Sequence, residues 1–186
     1  FKTCRPFLQA GFIVMTPMLR GENGNPGDCE MFLGEVDDAV AAVNWLAKQP
    51  SVDSKRIYTF GHSAGGVISA LLSLRKNVPI RHGGSSGGLY GPLLFSMIQK
   101  RVPFDHTNPV EREMRVLPPN VRWMQRPHYA FVGTEDVAVR SGLDRAKKEI
   151  KELSKPLLKI IEHPGAHSSA LAPAVDKYVD ILLAES

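Results

Sequence analysis

Short apolar runs alternate with helix-like apolar stripes along the chain. Runs bounded by Gly, Pro or charged residues predict strands at residues 11–17, 56–61, 128–133 and 157–162, with a weaker strand at 78–81. Apolar positions three and four residues apart predict helices over residues 30–49, directly after 65–66, over 143–153 and over 171–182. This alternation is typical of a mostly parallel sheet with helices on both faces, so the sequence predicts an α/β fold.

The middle of the chain is less regular. Residues 82–91 are rich in glycine, and no Lys-Ser/Thr pair follows them, so we interpret them as a flexible connection rather than a phosphate-binding loop. Prolines punctuate residues 92–126 and leave room for one or two short helices. We therefore expect residues 83–126 to form a region of loops and short helices that lines a cleft.

Length and composition point to an ordinary folded domain. The 186 residues are 43% hydrophobic and 23% charged, which favours one domain over residues 1–186. A net charge of +4 without long runs of like charge disfavours nucleic-acid binding. Residues 57–74 contain no Asp, Glu, Lys or Arg, but their glycines, serines and histidine indicate a strand, turn and helix, so no membrane span is expected. The cytoplasm is slightly favoured as compartment, and the oligomeric state is left open.

A Gly-x-Ser-x-Gly motif at residues 61–65 lies between a predicted strand and a predicted helix. In that context the serine, Ser63, is a candidate nucleophile on a sharp, strained turn. We expect Gly61 and Gly65 to be required there because side chains would collide with the neighbouring strand and helix. The following helix would direct its free N–H groups at the site, which makes the backbone N–H of Ala64 a candidate oxyanion donor.

A serine nucleophile needs a base, and the base needs an acid to orient it. In the predicted fold these partners follow the serine in the order acid, then histidine, each in a loop after a later strand. Asp136 and His167 fit this order. The neighbouring Glu135 and His163 remain alternatives on position alone. No metal-binding spacing is found, since the two cysteines lack further partners, and no metal or cofactor is expected.

From residue 5 to residue 183 the chain resembles the α/β-hydrolase catalytic domain of the prolyl oligopeptidase and dienelactone hydrolase group. The segments that carry the resemblance are residues 10–21, 61–66, 133–136 with Val139, and 165–167. The resemblance implies a serine hydrolase with Ser63, Asp136 and His167 as its triad. It also implies a small ester or short peptide as substrate, cleaved through an acyl-enzyme.

The resemblance also implies strands and an oxyanion donor that are expected upstream of residue 1. The early strands are expected to be missing, and the second oxyanion donor is expected from a loop upstream of residue 1. Arg20, Glu22 and Asn23 follow a predicted strand end and are candidate substrate-binding residues, although a solvated turn explains them equally well. The competing hypothesis is a non-catalytic α/β-hydrolase-like module used for binding or assembly.

Overall fold

A parallel sheet of four strands forms the centre of the protein. The computed structural model describes residues 2–185, so Phe1 and Ser186 lie outside the described residues. The strands are β1 (Tyr58–His62), β2 (His82–Ser86), β3 (His128–Gly133) and β4 (Leu158–His163), paired in the order β1-β2-β3-β4. All three pairings are parallel, so every connection crosses over the sheet and all carboxyl ends meet at one edge.

Helices cover both faces of the sheet, as predicted. The larger apolar core lies under α2 (Gly34–Leu46), α3 (Ala64–Leu72) and α6 (Arg140–Lys151). The other face is covered by α1 (Arg5–Gln9) and α7 (Leu171–Ala184), whose Phe7 and Tyr178 contact each other edge to face. Shorter helical segments are α4 (Leu94–Met97), α5 (Pro109–Glu113) and the 3-10 turns Gln99–Arg101, Pro118–Trp123 and Val137–Val139.

The predicted strand at residues 11–17 is wrong for this structure. Residues 12–19 have no regular secondary structure, and within the described part of the chain no strand pairs with the outer edge of β1. An open apolar cavity of about 830 Å³ lies between this segment and β1, lined by Phe12, Val14, Tyr58 and Phe60 among others. The segment has the composition of a buried strand, but the cavity separates it from β1, and among the described residues its backbone pairs with no strand.

The glycine-rich segment was predicted as a flexible connection, and this is also wrong for its first half. His82–Ser86 is β2, a fully buried inner strand of the sheet, whereas residues 78–81 are not a strand. A Cβ on Gly83 would lie 2.7 Å from the Nδ1 atom of His128, and one on Gly84 would lie 2.8 Å from the ring of Tyr178. Glycine is therefore present because the flanking layers approach the backbone closely.

Within the predicted region 83–126, only the part after β2 has the expected character. Residues 94–123 carry the short helices α4 and α5 and two 3-10 turns. The lining of a cleft by this region stays a prediction.

Candidate active site

Ser63 lies on a strained turn at the carboxyl end of β1, directly before α3; we call this turn the elbow. Its φ of 53° and ψ of −118° fall in a region that side-chain-bearing residues rarely adopt. Two hydrogen bonds hold the turn: Ser63 N–H donates to the Ser86 carbonyl at 2.9 Å, and Val67 N–H donates to the Ser63 carbonyl at 3.0 Å. The sharp reversal lifts the hydroxyl to the edge of the sheet.

The two glycines of the motif differ in what they contribute: the prediction for Gly61 is confirmed and the one for Gly65 is wrong. A Cβ on Gly61 would lie 2.1 Å from the Gly65 carbonyl oxygen, so Gly61 is required by the close approach of strand and helix. A Cβ on Gly65 would meet nothing within 4 Å, so the expected collision at that residue is wrong. The tight second contact is at Gly66, whose added Cβ would lie 3.1 Å from the Cα of Gly88.

A chain of hydrogen bonds joins Ser63 to two residues from later loops. The Nδ1 atom of His167 lies 2.7 Å from an oxygen of Asp136, and its Nε2 atom lies 3.0 Å from the Ser63 hydroxyl. Asp136 is only 3% exposed, and it also accepts a hydrogen bond from the Ala138 N–H. Because a carboxylate accepts, Nδ1 must donate, which leaves the lone pair on Nε2 free to accept from the serine.

The alternatives that sequence position left open do not contact Ser63 or His167. Glu135 is exposed, and its backbone N–H donates to the Gly165 carbonyl. The Nδ1 atom of His163 lies 3.3 Å from the Pro164 carbonyl. Among the described residues, the structure thus brings Asp136 and His167 to the serine and leaves their neighbours outside.

Tyr90 also belongs to this cluster, and sequence reasoning missed it. Its hydroxyl lies 3.0 Å from the Ser63 hydroxyl and 3.2 Å from Nε2 of His167. The residue is 8% exposed, and burial raises the pKa of its hydroxyl. Residues that follow a parallel strand collect at the same sheet edge as the elbow. The sequence does not indicate this for Tyr90, because its glycines make residues 82–91 resemble a loop.

His62 forms a wall of the site. Its ring centroid lies 4.9 Å from that of His167, and its Nδ1 donates to the Ser86 carbonyl at 3.1 Å. Burial, and then the neighbouring His167, lower the pKa of His62. His62 is therefore neutral at pH 7 and does not add a positive charge beside the base.

The candidate oxyanion donor is the backbone N–H of Ala64. Ala64 is the first residue of α3, so its N–H belongs to the first turn, whose donors have no intrahelical partner. The second donor expected upstream of residue 1 lies outside the described residues.

The three candidate substrate-binding residues lie in an ion-paired turn. Asp38 accepts two hydrogen bonds from the Arg20 guanidinium, at 2.8 and 2.9 Å, and Glu30 accepts a third. The Asp38 hydrogen bond is the largest cause that raises the pKa of Arg20. Glu22 and Asn23 are exposed. Substrate binding by this turn stays a prediction, and the structure gives Arg20 a second role in holding the turn against α2.

Residues 2–185 contain no cluster of three or more His, Cys, Asp or Glu side chains arranged to hold a metal ion. No helix in that range is long and apolar enough to cross a bilayer.

Part of the chain matches a known protein family. Residues 2–81, which include β1 and the elbow, match the X-Pro dipeptidyl-peptidase family S15. The match covers the first part of the chain and ends before β2. It therefore includes Ser63 but neither Asp136 nor His167.

Two curated proteins are similar in sequence. An uncharacterized peptidase of Bacillus subtilis, YtmA, is 29% identical over 163 residues, which cover 81% of this chain and 63% of that protein. The inactive dipeptidyl peptidase 10 of Mus musculus is 50% identical over 38 residues, 20% of this chain and 5% of that protein. The chain thus spans less than two thirds of the length of either relative.

Similarity to solved structures identifies the fold. An esterase of Pyrococcus furiosus superposes with a TM-score of 0.64 at 18% identity, over 96% of this chain and 72% of the esterase. The chain has the α/β-hydrolase fold, which confirms the fold that the sequence predicts. The family match and the sequence similarity to a peptidase support a hydrolase.

Proposed function

We propose that this chain is the catalytic part of a serine hydrolase that cleaves ester or peptide bonds through an acyl-enzyme. The observation that carries the proposal is the hydrogen-bonded chain from Asp136 through His167 to Ser63, with both distances at 3.0 Å or less. A nucleophile, a base and an acid in this order are what acyl transfer by serine requires. The fold by itself does not require these three side chains to meet at the elbow, so their arrangement favours a catalytic role.

In the first half of the reaction, Ser63 attacks the acyl carbon of the substrate. Its proton passes to Nε2 of His167, and the resulting imidazolium is stabilised by Asp136, which stays ionised. The N–H of Ala64 is placed to donate to the acyl oxygen as negative charge develops there. The bond between the acyl carbon and the leaving oxygen or nitrogen then breaks, and His167 gives its proton to that atom, so that an alcohol or amine departs.

Water completes the reaction in the second half. It gives a proton to His167 and attacks the acyl carbon, and the bond to Ser63 breaks. The serine recovers its proton from His167, and the free acid departs. This cycle uses only side chains and water and requires no cofactor. The substrate class depends on the residues that bind the substrate beside the elbow.

The substrate classes we propose are small esters and short peptides. The peptidase family match and YtmA favour peptide bonds, whereas the similar esterase favours esters. Both classes pass through the same acyl-enzyme. They differ only in the leaving group that His167 must protonate.

The alternative is a non-catalytic module of the same fold. It is favoured by the similarity of 38 residues to a relative that is named inactive. A module without activity does not need a hydroxyl, an imidazole and a carboxylate aligned in one hydrogen-bonded chain. In this protein the three groups form such a chain. We therefore place the hydrolase first.

A substrate panel with four proteins tests the proposal. p-Nitrophenyl acyl esters and Pro- and Ala-terminated peptide amides are incubated with the wild type and with Ser63→Ala, His167→Ala and His163→Ala. We expect Ser63→Ala and His167→Ala to lower kcat on the order of 10³-fold or more. His163→Ala is the matched control, since the ring of His163 does not reach Ser63. Turnover that survives Ser63→Ala would contradict the proposal.

A further inference from the structure

Three groups at the site share two hydroxyl protons. The Ser63 hydroxyl, the Tyr90 hydroxyl and Nε2 of His167 lie within 3.2 Å of one another. Since Nδ1 of His167 donates to Asp136, the neutral ring offers a single lone pair, on Nε2. That lone pair can accept from Ser63 or from Tyr90 but not from both.

The shorter contact to Nε2 favours Ser63 over Tyr90 as the donor to His167. Ser63 lies 3.0 Å from Nε2, and Tyr90 lies 3.2 Å from it. When Ser63 donates to His167, both lone pairs of its oxygen remain, and the Tyr90 hydroxyl 3.0 Å away is in position to donate to one of them. The resulting order is Tyr90 to Ser63 to His167 to Asp136.

Tyr90 is suited to be a donor that keeps its proton. It is buried, and the loss of solvation that raises its pKa keeps the hydroxyl neutral at pH 7. It lies in the segment that follows β2, at the same sheet edge as Ser63, and its hydroxyl already contacts the serine. A donor that is already in place before the reaction pays no cost of reorganisation when charge appears.

We propose that Tyr90 is a further catalytic residue, which donates a hydrogen bond to the Ser63 oxygen during acyl transfer. The proposal rests on the proposed serine hydrolase activity and deepens it. During attack the Ser63 O–H bond breaks, its proton goes to Nε2, and the electron pair on oxygen forms the bond to the acyl carbon. During deacylation that bond breaks and the pair returns to oxygen, where Tyr90 stabilises it until His167 delivers the proton. The O–H bond of Tyr90 stays intact throughout.

Removal of the Tyr90 hydroxyl tests the role. Tyr90→Phe keeps the ring and deletes the donor, and Tyr129→Phe is a matched control. Tyr129 is also buried, but its hydroxyl accepts from Lys159 Nζ at 3.0 Å instead of contacting the site. The measurements are kcat and KM on one p-nitrophenyl ester, the rate of labelling by a fluorophosphonate and the thermal midpoint.

We expect Tyr90→Phe to lower kcat about 10²-fold with KM little changed, in the range found for the loss of one preorganised donor. Labelling should slow by a similar factor but still occur on Ser63, because nucleophile and base remain. Tyr129→Phe should keep the wild-type kcat. The thermal midpoints of the two variants should agree.

The outcomes separate this inference from the proposed function. An unchanged or increased kcat in Tyr90→Phe would overturn the role of Tyr90, as would a fall in kcat that Tyr129→Phe reproduces. If instead Ser63→Ala remains active, the proposed function fails, whatever Tyr90→Phe does. A rise in KM with constant kcat would assign Tyr90 to ground-state binding and would also overturn the inference.

Discussion

At the scale of single residues, the absence of a side chain on Gly87 leaves room for the imidazole ring of His167. It has a φ of +61°, and an added Cβ would lie 2.7 Å from Cε1 and 2.9 Å from Nδ1 of His167. Gly87→Ala should therefore push the imidazole away from Asp136 and lower kcat, on the order of 10²-fold for a displacement near 1 Å. The assay is ester hydrolysis under saturating substrate.

Gly24→Ala is the control for backbone strain. Gly24 has a φ of +84°, but a Cβ there would meet nothing within 4 Å. Both substitutions strain the backbone and should cost stability, roughly 1 kcal/mol each. Only Gly87→Ala should lose activity, and equal kcat values in the two variants would contradict the steric account.

What the sequence predicts at this scale depends on whether the signal is local. Ser63 could be named because the motif and its strand-to-helix context stand together in the chain. Asp136 and His167 came from their order and from loop positions, and the choice over Glu135 and His163 needed the family resemblance. Tyr90 carries no motif, because its contact with Ser63 exists only once β1 and β2 are paired.

At the scale of elements, β2 is the strand in which glycine is required by packing. A Cβ on Gly84 would lie 2.8 and 2.9 Å from ring atoms of the fully buried Tyr178 and 3.0 Å from the ring of Phe60. Gly84→Ala should therefore destabilise the protein by about 1–3 kcal/mol, the usual cost of overpacking. Urea unfolding at pH 7 measures the change.

Gly65→Ala provides the comparison within the same fold. The added methyl group enters open space in the first turn of α3, and alanine is the better helix former. Its free energy of unfolding should stay within about 1 kcal/mol of the wild type. A Gly84→Ala variant as stable as Gly65→Ala would show that the α7 face repacks freely.

The two wrong predictions, a loop in place of β2 and a strand at residues 11–17, have a common physical cause. Hydrophobic periodicity reports side chains, so it overlooks β2, whose glycines carry none. Conversely, residues 11–17 carry the side chains of a buried strand, but pairing depends on a neighbouring backbone that periodicity does not detect. The helices were predicted more reliably because an apolar stripe is sufficient to bury one face of a helix.

At the scale of the whole molecule, stability should depend on pH through a buried histidine. His128 lies fully buried in β3, where its Nε2 atom is 2.8 Å from the Ser85 hydroxyl. Burial lowers the pKa of His128 to about 3, far below the ordinary value near 6.5. Between these values the unfolded chain binds a proton that the folded protein rejects, so stability is lost as the pH falls.

The expected slope from this residue is about 1.4 kcal/mol per pH unit below about pH 6.5, continuing towards pH 3. Burial lowers the pKa of the neighbouring His82 as well, which adds to the loss with the same sign. Urea unfolding at pH 7, 6, 5 and 4 measures the slope, and His128→Gln should flatten it. An equal slope in the variant would assign the acid sensitivity to other groups.

The identity of the residue that forms a covalent bond with an acyl-enzyme mimic tests the central claim most directly. The protein is incubated with a fluorophosphonate, digested, and the adduct is located by peptide mass spectrometry. We predict one adduct, on Ser63, formed rapidly in the wild type, absent in Ser63→Ala and strongly slowed in His167→Ala. An adduct on another serine, or none at all in the folded wild-type protein, would contradict the account.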